Sequence, residues 1–271
     1  MESIGLGRLL LELEPCHYGY SRHRFRGPAA DTEQPYLAFI GTTETVGPFL
    51  TRPYPQITSE ALSIGCANLG IKNAGPEVFL KDPELLRVAQ KADAVVMEVM
   101  GATNQSNMFF KVHPRRNDRV TRTHQALHDL LPKLDTTEIH FTGHLLAEIE
   151  RLSDRVLGEV TAILQEQWVI RMKRLIEVIE RPVHLVMLVT DGATNARLID
   201  PHMLEALEPH AASVTCFMPS DEAISEGTEE MIFQPQEHTA AREMLSASAH
   251  YEAAELLVEV LGAEMQTARA G

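Results

Sequence analysis

The feature that most constrains this chain is a recurrence. Four short apolar runs are each broken off at once by glycine and small polar residues. Residues 36–40 (YLAFI) stop at Gly41 and give way to Thr42, Thr43, Glu44 and Thr45. Residues 63–69 stop at Gly70-Ile71-Lys72-Asn73-Ala74-Gly75, residues 94–100 at Gly101-Ala102-Thr103-Asn104, and residues 183–189 at Asp191-Gly192-Ala193-Thr194-Asn195. Runs this short and apolar, bounded by turn residues, read as buried strands rather than helices. A fifth run spans 213–218. The segments between them carry helical spacing, and strands alternating with helices require right-handed crossovers and a parallel sheet covered on both faces. The expected fold is therefore a three-layer α/β/α sandwich with a five-stranded, mainly parallel sheet. A single domain is expected over 36–271, preceded by an N-terminal arm over 1–35.

The helical segments are read as follows. Residues 76–92 follow helical spacing in part, with Pro76 suited to a first turn and Asp82-Pro83 marking a break. A helix is expected over 121–134, then two more over 143–151 and 154–180, with Ser153-Asp154 as N-cap and Pro182 as terminator. Trp168 and Met172 on the longest helix are assigned to the core or a dimer contact, and a homodimer through 143–180 is one possible assembly. Shorter helices are expected over 201–207 and 249–261. The segment from Pro48 to Pro55 reads as a loop, because proline removes a donor and restricts the residue before it. Residues 105–120 read as a long loop and 138–141 as a short strand.

With 44% apolar and 23% charged residues, the 271-residue chain has the balance of an ordinary globular protein. Its formal charge of −14 excludes sequence-independent nucleic-acid binding, which needs basic surface to displace counterions, and disfavours anionic membranes. Cys16, Cys66 and Cys216 are scattered and odd in number, as free thiols in a reducing compartment would be. Glu12 and Glu14 interrupt the only leucine-rich stretch near the start, and no later run reaches the length of a membrane span. A cytoplasmic location is expected.

In open α/β sheets, ligands settle outside the carboxyl ends of the strands. Here those ends carry Thr42 and Thr43, the stretch Asn68 to Gly75, Thr103 to Asn107, and Asp191 to Asn195, while His250 stands near the start of the last helix. A hydroxyl, glycine amides, an asparagine side chain and a histidine are the parts of an acyl-transfer site: nucleophile, oxyanion donors and general base. The plainer reading of Thr42 to Thr45 is a set of caps on the helix that follows.

At these residues the chain resembles the SGNH, or GDSL-like, hydrolase superfamily, whose sheet is flavodoxin-like. FIGTTE stands where the family's first block would be, NLGIKNAG resembles the second, VMGATN the third and SASAHYEAAELL the last. The resemblance implies Thr43 as nucleophile, Gly75 or Gly70 as the second-block amide, Asn104 as oxyanion donor and His250 as base. It also implies an esterase or acyltransferase that needs no cofactor and acts on a polar, anionic small molecule or glycan precursor. Two departures stand out: threonine replaces serine, and Ala247 stands where the aspartate that orients the histidine is expected, so Glu44 or Asp191 would have to substitute. The whole chain more closely resembles an alphaproteobacterial domain family of unknown function that keeps RFRGP, a GxTE turn, NLG, VHPRRNDR and FxxHLL. Those motifs stand here at Arg24 to Pro28, Gly41 to Glu44, Asn68 to Gly70, Val112 to Arg119 and Phe141 to Leu146.

The VHPRRNDR stretch carries a second expectation. Guanidinium forks suit phosphate, sulfate or carboxylate, so His113, Arg115 and Arg116 are candidates to hold the anionic part of a substrate, with the loop as a lid. On this alternative the protein binds an anionic ligand, or transfers a group such as sulfate, without hydrolysis. Thr42, Glu44, Gly70, Asn107 and Asn195 complete the expected substrate-binding set. His113, His140 and His144 lack metal-ligand spacing, and no metal is expected.

Overall fold

The computed structural model describes residues 13–189 and 198–270, apart from the side chains of 263–270. In chain order the elements are β1 (Tyr36–Ile40), α1 (Thr43–Val46), α2 (Tyr54–Ala61), β2 (Gly65–Asn68), α3 (Pro76–Leu80), α4 (Pro83–Lys91) and β3 (Ala94–Glu98). A hairpin of β4 (Phe110–His113) and β5 (Arg116–Thr123) follows, then α5 (Gln125–Leu130), α6 (Thr142–Leu152) and α7 (Asp154–Ile179). The chain ends with β6 (Val183–Leu188), α8 (Pro201–Glu205), β7 (Ser213–Phe217), α9 (Asp221–Glu226), α10 (His238–Arg242) and α11 (Ala247–Ala270).

Five strands form one sheet in the order β2-β1-β3-β6-β7, and every pairing in it is parallel. The chain first steps from β1 outward to β2, then returns past β1 to β3 and continues in the other direction. That reversal puts a topological switch point between β1 and β3, where a crevice opens beyond the strand ends. Alternate residues serve opposite faces. Ala38, Ile40, Val95 and Met97 pack with Phe79, Leu85, Trp168 and Met172 from α3, α4 and α7. Leu37, Phe39, Val96 and Val186 pack with Tyr54, Ile57, Ala253 and Leu257 from α2 and α11. The sheet is thus covered on both sides, which is why its strands read as continuous apolar runs.

The 84 or so residues between β3 and β6 carry a side lobe as well as the crossover: Phe110, Leu127, Leu145, Ile149, Val160 and Leu164 form a separate cluster from the hairpin, α5, α6 and α7. The 26 residues of α7 are about 39 Å long at the usual helical rise. Its first half packs in the lobe and its second half on the sheet, where Trp168 donates to the Met100 carbonyl at 2.7 Å. Trp168 and Met172 are therefore core residues. Ser153 caps α7 through Val156 N–H at 3.3 Å, and Asp82 caps α4 through Glu84 and Leu85, each at 3.1 Å.

Several expectations are corrected. Residues 110–123 are an antiparallel hairpin rather than a loop running into a helix, and the helix expected from 121 begins only at Gln125. The strand expected over 138–141 reduces to one bridge between Phe141 and Arg119. The Pro48 to Pro55 segment contains the start of α2, because Pro53 is its N-cap and Pro55 sits in its first turn, where a missing N–H costs nothing. Residues 13–35 pack onto the domain: Tyr18 and Phe25 are buried in the core, and the Arg26 guanidinium donates to the carbonyls of Val46, Gly47, Leu50 and Thr51 at 3.2, 2.6, 2.7 and 2.8 Å. Burial lowers the Arg26 pKa to about 10. Among the described residues no helix is long and apolar enough to cross a membrane.

Candidate active cleft at the sheet switch point

The floor of the crevice is the short turn of α1, and it is held from below by a carboxylate. Glu98, the last residue of β3, is fully buried. It accepts Thr42 N–H at 2.7 Å, Thr45 N–H at 3.2 Å, Thr45 Oγ1–H at 2.6 Å and the Thr42 hydroxyl. Because the Thr45 proton goes to Glu98, the Tyr54 hydroxyl must donate to Thr45 Oγ1 at 2.7 Å. Burial pushes the Glu98 carboxyl above its usual range, against the pull of these hydroxyls and amides. Gly41 is required for the approach: a Cβ there would lie 1.9 Å from Thr45 Oγ1 and 2.5 Å from Glu98 Oε2. Thr42, expected to bind substrate, is instead turned down onto Glu98 and is 3% exposed.

Above this floor lies a cleft of about 920 Å³. Thr43, Asn73, Thr103, Asn104 and Thr142 all line it. The Thr43 hydroxyl accepts Asn73 N–H at 3.1 Å and donates to Asn73 Oδ1 at 3.3 Å. Asn104 Nδ2 donates to the Asn73 carbonyl at 3.0 Å, and its Oδ1 accepts the Thr142 hydroxyl at 2.6 Å. Gly75 packs so closely that a Cβ would meet the Asn104 carbonyl oxygen at 2.0 Å. The ends of β1, β2 and β3 thus bring Thr43, Gly75 and Asn104 together, with Asn73 as the link between threonine and asparagine.

The other expected site residues go elsewhere. His250 is fully buried in the first turn of α11, stacked on Tyr54 at 5.7 Å and 26°. Its Nδ1 accepts Tyr54 N–H at 3.0 Å, so the ring is neutral with its proton on Nε2, which faces Glu44 Oε2 at 3.3 Å. That pair is close but misaligned, and among the described residues both atoms lack a hydrogen-bond partner. The imidazole therefore stands behind Glu44 and not against Thr43, whose hydroxyl is engaged by Asn73. Glu44 itself lines the cleft, with Oε1 accepting Leu245 N–H at 3.3 Å. Gly75 N–H points to Asn117 Oδ1 at 3.2 Å, away from an oxyanion position. Gly70 donates to Asn68 Oδ1 at 3.0 Å and lies under α1, where a Cβ would sit 2.7 Å from Val46 N. Asn107 Oδ1 closes its own loop through Phe109 and Phe110 N–H at 2.7 and 3.2 Å. Asn195 and Asp191 lie outside the described residues.

His113, Arg115 and Arg116 form no lid on the cleft. They line a second concavity of about 670 Å³ with Arg22, His23, Arg24 and Arg119. The cleft wall is acidic by contrast: Glu44, Asp118, Glu150, Glu237 and Glu243 face it against Lys72. Sequence reasoning missed Asn73 and Thr142 as cleft residues. Both lay inside motifs already singled out, the NLGIKNAG block and the FxxHLL segment, but nothing in those motifs says which side chain faces the crevice.

A family model described as a domain of unknown function (DUF6473) matches residues 1–265. The chain belongs to the DUF6473 family. No curated protein matches it. Among solved structures, it is similar to a lipase, Lip_vut3, from a goat rumen metagenome, at 16% identity and a TM-score of 0.40, over 82% of this chain and 95% of that one. The motifs that carried the family resemblance now have physical roles in this DUF6473 chain. Arg26 ties down residues 46–51, Gly41 admits Glu98, and Asn68 fixes Gly70 beneath α1. Asn117 clamps the hairpin to Gly75 and Val78 N–H, each at 3.2 Å. Arg119 lies over the Phe141 ring at 4.8 Å, beside Thr142 in the cleft wall.

Proposed function

We propose that the cleft of this DUF6473 protein is a hydrolase- or acyltransferase-like site for a polar, uncharged or cationic small molecule, such as an ester of a sugar. The observation that supports this reading is the convergence of Thr43, Asn73 and Asn104 at the β1/β3 switch point, inside a cleft of the size that takes a small ligand. In this reading Thr43 offers the hydroxyl, and the Asn104 amide turns from the Asn73 carbonyl to meet developing negative charge. As Thr43 Oγ1 turns from Asn73 Oδ1 and bonds the acyl carbon, Glu44, a cleft-lining carboxylate with His250 behind it, takes the hydroxyl proton and returns it to the alkoxide released when the ester C–O bond breaks. The acidic wall sets the substrate's charge: with one lysine against five carboxylates, an anionic substrate is repelled.

The test is turnover of activated esters, with acyl chains and sugar leaving groups varied, by the wild type and by Thr43→Ala, Glu44→Gln and Asn104→Ala. Loss of turnover in Thr43→Ala and Glu44→Gln, with the fold intact by circular dichroism, is expected. Wild-type rates in both variants would end the proposal, as would a wild type inert toward the whole panel.

A further inference from the structure

We infer that the concavity between residues 22–24 and the β4–β5 hairpin is a binding site for a small phosphate- or sulfate-bearing ligand, independent of the cleft. Among the described residues, Arg22, Arg24, Arg115, Arg116 and Arg119 line it, with His23 and His113, and no carboxylate does. In a chain of net charge −14, two distant segments gather five exposed guanidinium groups with no carboxylate among the described lining residues, and like charges gathered this way repel, weakly because water screens them. Among the described residues none of these five arginines makes an ion pair, whereas Arg52, Arg87, Arg151, Arg155 and Arg174 each have a glutamate; Arg122 and Arg242 have none either, so what marks this place is five such groups lining one concavity. The missing counter-charge is what a bound anion supplies, and several planar forks around one concavity suit tetrahedral oxyanions.

The supporting backbone is fixed before any ligand arrives. Ser21 Oγ donates to Asp82 at 2.7 Å and accepts His23 N–H at 3.1 Å, which sets the first segment, and Arg26 anchors it two residues on from Arg24. On the hairpin, Asn117 Nδ2 donates to the His113 carbonyl at 3.1 Å while its Oδ1 holds Gly75 and Val78. His113 Nδ1 accepts Arg115 N–H at 3.2 Å, which orients the ring. Such preorganisation lowers the ordering cost of binding. A volume of about 670 Å³ fits a ligand of mononucleotide size. The chain's overall negative charge disfavours a nucleic acid there.

The experiment is thermal shift and calorimetry on the full chain with inorganic phosphate, sulfate, pyrophosphate and a nucleoside triphosphate, at ionic strength held constant with chloride. A rise in Tm with at least one anion is expected, and the ranking of free phosphate against the nucleotide separates an inorganic from an esterified ligand. Arg115→Ala/Arg116→Ala and, separately, Arg22→Ala/Arg24→Ala should each weaken binding by about tenfold or more. Lys72→Ala, in the cleft, should leave it unchanged. No stabilisation by any of the four anions, stabilisation that survives both double variants, or its loss in Lys72→Ala would overturn the inference. Failure of ester turnover bears on the cleft alone.

Discussion

The cleft and the arginine concavity meet along one hairpin, with Asp118 facing the first and its neighbour Arg119 the second. In the cleft, the polar groups are mostly spent on each other. Thr43 bonds Asn73, Asn73 bonds Asn104, Asn104 bonds Thr142, and Glu98 collects the hydroxyls beneath. In the concavity, the guanidinium groups are exposed and, among the described residues, have no carboxylate partner, although Arg119 also lies over the Phe141 ring. Residues that satisfy one another build a shape and stabilise the fold. Residues that repel one another weaken it slightly and persist for what they can hold. Stability and binding measurements should therefore respond in opposite ways to substitutions in the two regions.

The largest effect should come from the cleft floor. Glu98→Ala strips the acceptor from two amides and two hydroxyls in a dry site, and should lower unfolding free energy by about 3 to 5 kcal/mol in a denaturant titration. Glu98→Gln keeps three of the donors on its oxygen, while the Thr42 hydroxyl turns to accept from the new amide, so it should cost far less. Glu98 also sets a pH dependence. Its folded pKa is raised above the ordinary 4.5, so the folded state binds the extra proton. The contribution is fully present below pH 4.5 and is lost as pH rises from there through the folded value, a slope that Glu98→Gln should remove.

Next comes the shared wall. Asn117→Ala unpairs the buried Gly75 amide and leaves Val78 N–H only its 3.3 Å bond to the Gly75 carbonyl, and should cost about 1 to 3 kcal/mol while weakening ligand binding in both regions. If only one region responds, the hairpin does not couple them. In the concavity, Arg115→Ala/Arg116→Ala should change stability by no more than about 0.5 kcal/mol, with any gain reflecting relieved repulsion. A loss comparable to that of Asn117→Ala would mean that these arginines are structural after all.

The smallest expected effect is on His23. Burial, with a contribution from Arg115 and against the pull of Asp82, holds its pKa below the ordinary 6.5. Stability linked to this ring is therefore present above pH 6.5 and is lost as pH falls from there toward the folded value. An NMR titration should show that value rising in Arg115→Ala, and rising further when inorganic phosphate is added to the wild type.

What the sequence disclosed follows from which signals are local. The apolar strands were legible because a sheet covered on both faces makes each strand a continuous hydrophobic run. The helix starts at Pro76 and Ser153 were legible because caps and first-turn prolines are chemistry between near neighbours, while Asp82-Pro83, read only as a break, turned out to cap α4. The hairpin was not, since RNDRVTRT alternates too weakly for a strand and its pairing with residues 110–113 is set by the lobe behind it. In the candidate site, Thr43, Gly75 and Asn104 could be placed at one rim because strand ends in a parallel sheet share an edge. The direction of His250 could not be read. Whether a helix begins with its histidine toward the crevice or toward Tyr54 depends on the rotation of α11 against α2, which no local pattern encodes.

The long helix α7 has a consequence for how the molecule comes apart. Because Val160 and Leu164 belong to one apolar cluster and Leu175 and Ile179 to another, neither cluster can dissolve without fraying a helix that the other is holding. The lobe and the sheet should then melt together in a single transition. A cavity cut at Leu145, far from any strand of the main sheet, would be felt as a lower melting point for the whole chain.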